Sequence, residues 1–189
     1  KQIKAIKLVV FVFKYIKKLD IRKYGSGNIG ATNVSRLLGK KFGILTLIFD
    51  FLKTALTTFI VLNYLGPEIS IFCGAFSIIG HIFPVWLNFK GGKGVASFIG
   101  LLSIISWPLF ICFVTSWIII VKMFNYSSLG AIFSIVINLI LFKFILILQF
   151  NYQVLSYIPG QPLELNVVFF LSVLIIYKHK KNIRNFFYK

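Results

Sequence analysis

Three stretches of this chain, residues 42–62, 69–87 and 129–148, are nearly unbroken runs of apolar side chains. Each approaches the about 20 residues that an α-helix needs to cross the hydrocarbon core of a bilayer. No other property of the sequence constrains the fold as much. In water such runs would need burial on every side, and a chain of 189 residues has too little interior to hide them. Hydrophobic residues make up 58% of the chain and charged residues only 13%, so the natural solvent is lipid. The runs lack the residue-by-residue alternation of a barrel strand, which selects helices.

Three further segments complete the reading. Residues 95–124 are apolar throughout but interrupted at Trp107-Pro108, where proline predicts two short helices meeting at a turn. Residues 163–177 supply a last span, and residues 3–16 a weak or shortened first one, missing its natural start. Lys1, Lys4 and Lys7 before LVVFVF look like the opening of a signal peptide, but KYIKK follows where a cleavage site would stand. The expected fold is an all-α integral membrane protein of about seven transmembrane helices, a single domain over residues 1–189.

The formal net charge of +17 first suggests nucleic acid as a partner, but its distribution argues for topology. Lysines and arginines cluster in residues 14–41, at Lys90 and Lys93, at Lys122 and in the tail from Lys178 onward. The intervening connections, residues 63–70, the Trp107-Pro108 turn and residues 149–162, hold none. By the positive-inside rule the basic face is cytoplasmic, with the N-terminus outside and the C-terminus inside. Membrane lipids with anionic headgroups account for the surface charge, and no nucleic acid is implied. Cys73 and Cys112 lie in apolar runs without paired spacing, His81 and His179 lack the spacing of a zinc site, and no acidic cluster exists, so neither disulfide, metal nor cofactor is expected.

Every unusual motif falls on that basic face. GSGNIGATNVSR, residues 25–36, opens with the G-x-G-x-x-G spacing of a dinucleotide loop, and Asp50 follows where a ribose carboxylate would stand. The context rejects that reading, because no strand precedes the loop and Asp50 lies inside an apolar helix. A plain flexible turn would explain the glycines but not Ser26, Asn28, Thr32, Asn33 and Arg36 packed beside them. Glycine backbone with short polar side chains makes an anion cradle. FKGGKGVA, residues 89–96, adds Gly91, Gly92, Lys93 and a helix start near Val95 whose N-terminus suits a phosphate. Ser127 or Ser128 in NYSSLG reads equally as a helix cap or a site residue. His179 and Asn182 are three apart, on one face of a helix. His81 reads as a hydrogen-bonded helix residue, and Asp50 with Lys53 as an ion pair supporting the site.

GSGNIGATNVSR, HIFPVWLNFKGGKGVA and HKKNI together resemble the bacterial acyl-phosphate:glycerol-3-phosphate acyltransferases, small integral membrane enzymes that form lysophosphatidic acid. The resemblance implies seven helices in the cell inner membrane, with the glycine-rich motifs meeting at a cytoplasmic-side active site. It implies Ser26, Asn28, Thr32, Arg36, Lys93, Ser128, His179 and Asn182 as site residues, with Arg36 and Lys93 the main phosphate ligands. Taken with the loop chemistry, the expected catalytic set is Ser26, Arg36, Lys93, His179 and Asn182. Gly27, Asn28, Thr32, Asn33, Gly91, Gly92 and Ser128 are expected to bind substrate or phosphate. The implied partners are acyl phosphate and glycerol 3-phosphate.

The H-x-x-x-x-D dyad of other glycerol-phosphate acyltransferases is absent, since Trp86 and Arg184 stand five residues after the two histidines. An acyl phosphate is already activated, which leads to direct transfer to the C1 hydroxyl without an acyl-enzyme. The proton acceptor is His179 or a substrate phosphate oxygen. An organophosphate transporter and a lipid-headgroup-binding protein are the alternative classes. The first would favour inverted repeats with broken helices, and the second leaves the Ser/Asn/Thr-rich loops unexplained.

Overall fold

A computed structural model of the chain describes residues 21–187. The expected first span, residues 3–16, lies outside these described residues, as does the far end of the basic tail. Among the described residues the structure is helical, with no strand: α1 (Ala31–Leu38), α2 (Lys40–Leu65), α3 (Pro67–Ile82), α4 (Val95–Ile105), α5 (Trp107–Phe124), α6 (Ser127–Tyr152), α7 (Pro162–Lys178) and α8 (Lys180–Phe187). Four helices are long and apolar enough to cross a bilayer, α2, α3 (with the short turn after it), α5 and α6. The pair α7 and α8, bent by 52°, adds a fifth if counted as one span. Six of the seven expected helices fall among the described residues and all six are present; α4, the first of the pair expected around Trp107-Pro108, has only 11 residues, about 16 Å of helix, roughly half the hydrocarbon thickness.

The breaks follow local chemistry. α2 ends at Gly66, whose φ of 83° only glycine adopts without strain, and Pro67 opens α3 where its missing N–H costs nothing. Extended Ser106 separates α4 from α5, with Pro108 in the first turn of the next helix. Gln161 and Glu164 form a capping box at the start of α7. Helix α1 was not legible in a loop that reads as polar and glycine-rich. It runs between Gly30 and Gly39, turns Asn33 and Val34 inward, and leaves Thr32 and Arg36 exposed.

The bundle is apolar both inside and out. Its interior joins large aliphatic and aromatic residues such as Ile78, Phe98, Leu102, Phe113 and Phe142 with small hydroxylated ones, Thr58, Ser97 and Ser134. Its outer surface is studded with Phe59, Phe76, Phe144 and Phe170, each at least half exposed, as expected where the surrounding medium is lipid. Hydroxyls tie helices together, Ser116 to Ser134 at 2.9 Å and Thr54 with Ser77 at 3.0 Å. Helices α2 and α4 cross so closely at Gly100 that any Cβ there would strike the carbonyl of Phe51. One charge escaped the reading of the connections: Lys143 sits within α6 and is exposed, so its head must reach along the helix toward a membrane surface.

Candidate active site

Four separate segments meet at the end of the bundle where α1, the start of α4, the start of α6 and the joint between α7 and α8 come together. The centre is Asn182. Its side-chain oxygen accepts a close hydrogen bond from Lys93 Nζ, and its Nδ2 donates to Ser128 Oγ at 2.8 Å. Its backbone carbonyl accepts from the Tyr126 hydroxyl at 3.3 Å. Thr32 on α1 bonds Ser127 beside this cluster at 3.3 Å, which brings the first motif to the other two.

Lys93 is the electrostatic focus. Burial and, secondly, the neighbouring Arg36 guanidinium lower its ammonium from the ordinary 10.5 to about 8. Two close cations can make a site for a multiply charged anion. Among the described residues no carboxylate offsets them. Glu68 and Glu164 begin α3 and α7 and lie about 20 Å along those helices from the site, while Asp50 is buried and bonded to Lys53 at 2.9 Å.

The FKGGKGVA loop is folded back onto the end of α3. Gly91 and Gly92, whose N–H groups were expected to face phosphate, instead donate them to the carbonyls of Ile82 and His81, each at 3.2 Å. Their contribution is the missing Cβ: at Gly91 it would strike the His81 carbonyl, and at Gly92 the His81 imidazole. The backbone N–H groups of Lys93 to Ser97 have no backbone acceptor among the described residues, so the donors available to an anion lie at the start of α4.

In the first motif, Asn33 is buried and its amide is engaged inside the loop. Its Oδ1 accepts from Ser26 N–H at 3.0 Å, and its Nδ2 donates to the Tyr24 and Asn28 carbonyls at 3.2 and 2.8 Å. Asn33 thus braces the curve through Gly27, whose φ is 71°, and leaves Ser26, Thr32 and Arg36 exposed. Of the two readings open for Ser127 and Ser128, the cap is not made: α6 starts at Ser127 without a side-chain cap bond, and Ser128 bonds Asn182 instead.

His179 and Asn182 were expected on one continuous helix face. They flank the α7–α8 bend, yet stay coupled because Asn182 N–H donates to the His179 carbonyl at 2.8 Å. His179 is buried, and its Nδ1–H donates to the Ile175 carbonyl at 2.8 Å, which leaves the lone pair on Nε2. Burial, with Lys93 adding to it against that bond, lowers its pKa to about 4, so the ring is neutral at pH 7. Sequence reasoning missed Tyr126, whose only signal is adjacency to Ser127 and Ser128.

A family model described as glycerol-3-phosphate acyltransferase matches residues 3–189. A glycerol-3-phosphate acyltransferase of Brucella anthropi is 41% identical over 165 residues, covering 87% of this chain and 74% of that protein. That of Ehrlichia canis is 41% identical over 174 residues, covering 91% and 83%. A solved integral membrane glycerol 3-phosphate acyltransferase in its glycerol 3-phosphate form superposes with a TM-score of 0.81 at 33% identity, covering 98% of this chain and 90% of that one. Its lysophosphatidic acid form gives 0.75 at 34% identity, covering 98% and 89%.

Proposed function

The chain belongs to the glycerol-3-phosphate acyltransferase family, and from that premise we propose that its acyl donor is an acyl phosphate. It is an integral membrane acyltransferase, which decides against the transporter and headgroup-binder readings. In the proposed reaction the C1 oxygen of glycerol 3-phosphate bonds to the acyl carbon and the acyl carbon–phosphate oxygen bond breaks. The hydroxyl proton passes to a phosphate oxygen, and the products are lysophosphatidic acid and inorganic phosphate.

The observation that carries this reading is the Lys93–Asn182–Ser128 junction with Arg36 beside it and, among the described residues, no carboxylate near. Arg36, Lys93 and the N–H groups at the start of α4 hold phosphate and stabilise developing negative charge. Ser26, Asn28, Thr32 and Asn182 orient the hydroxyl and the carbonyl, and Gly27, Gly91, Gly92 and Asn33 shape the loops that present them. His179 Nε2 accepts a hydrogen bond from the C1 hydroxyl. With its pKa near 4, it is a weaker base than a phosphate monoester, whose second ionisation lies at about 6, so a substrate phosphate oxygen takes the proton. The site faces the cytoplasm, with the N-terminus outside and the C-terminus inside, because the Lys/Arg-bearing connections share its side.

Purified protein given labelled glycerol 3-phosphate and one donor at a time tests the reading. Acyl phosphate is expected to yield lysophosphatidic acid and free phosphate in equal amounts, with acyl-CoA and acyl carrier protein inactive or nearly so. Robust product from acyl-CoA would overturn it.

A further inference from the structure

No step of this transfer uses Asp50, Lys53 or His81, although all three are buried or nearly so, and their charges are costly at membrane depth. A purely structural pair would be complete within α2, where Asp50 and Lys53 stand one turn apart. Instead Lys53 Nζ also makes a close hydrogen bond to His81 Nδ1 on α3. Asp50 Oδ1 lies 3.4 Å from the same ring nitrogen. An ammonium group can only donate, so Nδ1 must carry its lone pair and the ring proton belongs to Nε2.

Nε2 is the atom that faces Gly92. A Cβ on Gly92 would strike it, and the Gly92 N–H donates to the backbone carbonyl of the same histidine. Residue 81 therefore grips the loop by side chain and main chain together. On the outgoing side, Ser97 Oγ in the first turn of α4 donates to the Asp50 carbonyl at 3.1 Å. One turn of α2 thus holds both ends of the segment that carries Lys93.

We propose that Asp50, Lys53 and His81 form a positioning relay that fixes His81 as its Nε2–H tautomer and so sets the height and polarity of the Gly91–Gly92–Lys93 loop. The proposal rests on the reading of that loop as the phosphate site. With the proton on Nε2, the positive edge of the imidazole lies beneath the loop and favours an anion above it. Without Lys53, Nδ1 takes the proton and turns it to Asp50, which leaves a lone pair under Gly92. Glycerol 3-phosphate binding weakens, while Ser26, Thr32 and Asn182, which orient the hydroxyl and carbonyl from other elements, stay in place.

The chain has two histidines, so nitrogen NMR of 15N-histidine-labelled protein reads the tautomer directly, with His179→Gln assigning the signals. Wild-type protein is expected to show His81 as Nε2–H, and Lys53→Met to move the proton to Nδ1. In parallel, Lys53→Met is expected to raise KM for glycerol 3-phosphate about 10-fold or more with kcat within about threefold, and Lys53→Arg to restore both tautomer and KM. A wild-type Nδ1–H or doubly protonated ring overturns the relay, as does an unchanged KM in Lys53→Met. Should Lys53→Met fail to fold, the wild-type tautomer and Lys53→Arg decide alone. Failure of the acyl phosphate reading would show as absent transfer in wild-type protein whose His81 tautomer is nevertheless as stated.

Discussion

The pKa of Lys93, lowered to about 8, gives the site a specific pH signature. The lowering comes first from burial and second from Arg36, and both act on the free enzyme. Below pH 8 the ammonium is charged and can hold phosphate, and above pH 8 it loses the proton and becomes only a dipole. Because kcat/KM reports free-enzyme ionisations, it should fall about tenfold per pH unit above about 8. At pH 9 roughly a tenth of the lysines remain charged, and at pH 10 roughly a hundredth. The kcat profile should break later, since a bound phosphate dianion favours the charged form. His179, lowered to about 4, stays neutral throughout this range and adds no break of its own. The assay is release of labelled lysophosphatidic acid in detergent between pH 7 and pH 10, corrected for spontaneous donor hydrolysis. Lys93→Arg keeps a cation that stays charged throughout this range, so its residual activity should show no such limb. A flat wild-type profile to pH 10, or the same limb in Lys93→Arg, would refute the assignment of Lys93 as the buried phosphate ligand.

Gly92→Ala should lower kcat/KM by about 10²-fold, because its Cβ would lie 2.7 Å from His81 Cε1 and the loop must shift by about 1 Å. The same change in a His81→Ala background should cost much less, and equal costs in both backgrounds would show that the contact is not the cause. Arg36→Ala should cost at least about 10²-fold as a lost stabiliser of negative charge, while Lys40→Ala changes little because Lys40 is exposed at the start of α2. Similar losses in both variants would instead indicate a diffuse surface effect. For orientation, Tyr64→Cys, 82% exposed at the far end of α2, should react with an impermeant thiol reagent in intact cells and Asn28→Cys only after permeabilisation. The reverse pattern would invert the topology.

Spans and breaks were legible because they depend on local rules: apolar length, Gly66-Pro67 and Trp107-Pro108 are visible in the sequence itself. The motif residues were legible for a similar reason, since polar and glycine residues are out of place in such a chain. What could not be read is how polar groups share their bonds. Asn33 and Ser26 look alike in a loop of small polar residues, yet one is buried with its amide engaged and the other is exposed. Ser128 could cap a helix by local rules, and only the arrival of Asn182 from α8 assigns it elsewhere. The Asp50–Lys53 pair is visible as a one-turn spacing, but its reach to His81 depends on how α2 packs against α3. The α7–α8 bend is hidden because His179 and Asn182 keep the same spacing whether the helix continues or turns.

On the proposed reading, the basic residues that orient the chain in the membrane and those that serve the reaction share one face, and burial separates their roles. Lys40, Lys180 and Lys181 are exposed, where water and salt screen them. Lys180 also leans on Tyr177, its Nζ 3.1 Å from the phenol oxygen. Lys93 is drawn inward beside Arg36, with a lowered pKa and a hydrogen bond to Asn182. A positive field that first serves insertion can therefore gather doubly charged substrates at the surface, while partial burial at one point converts that attraction into a fixed binding geometry. The acidic residues complete the division of labour. Among the described residues, Glu68 stands in the first turn of α3 and Glu164 in the capping box of α7, both at the opposite end, and Asp50 is held by Lys53, so none of the three competes with phosphate for the cations at the site.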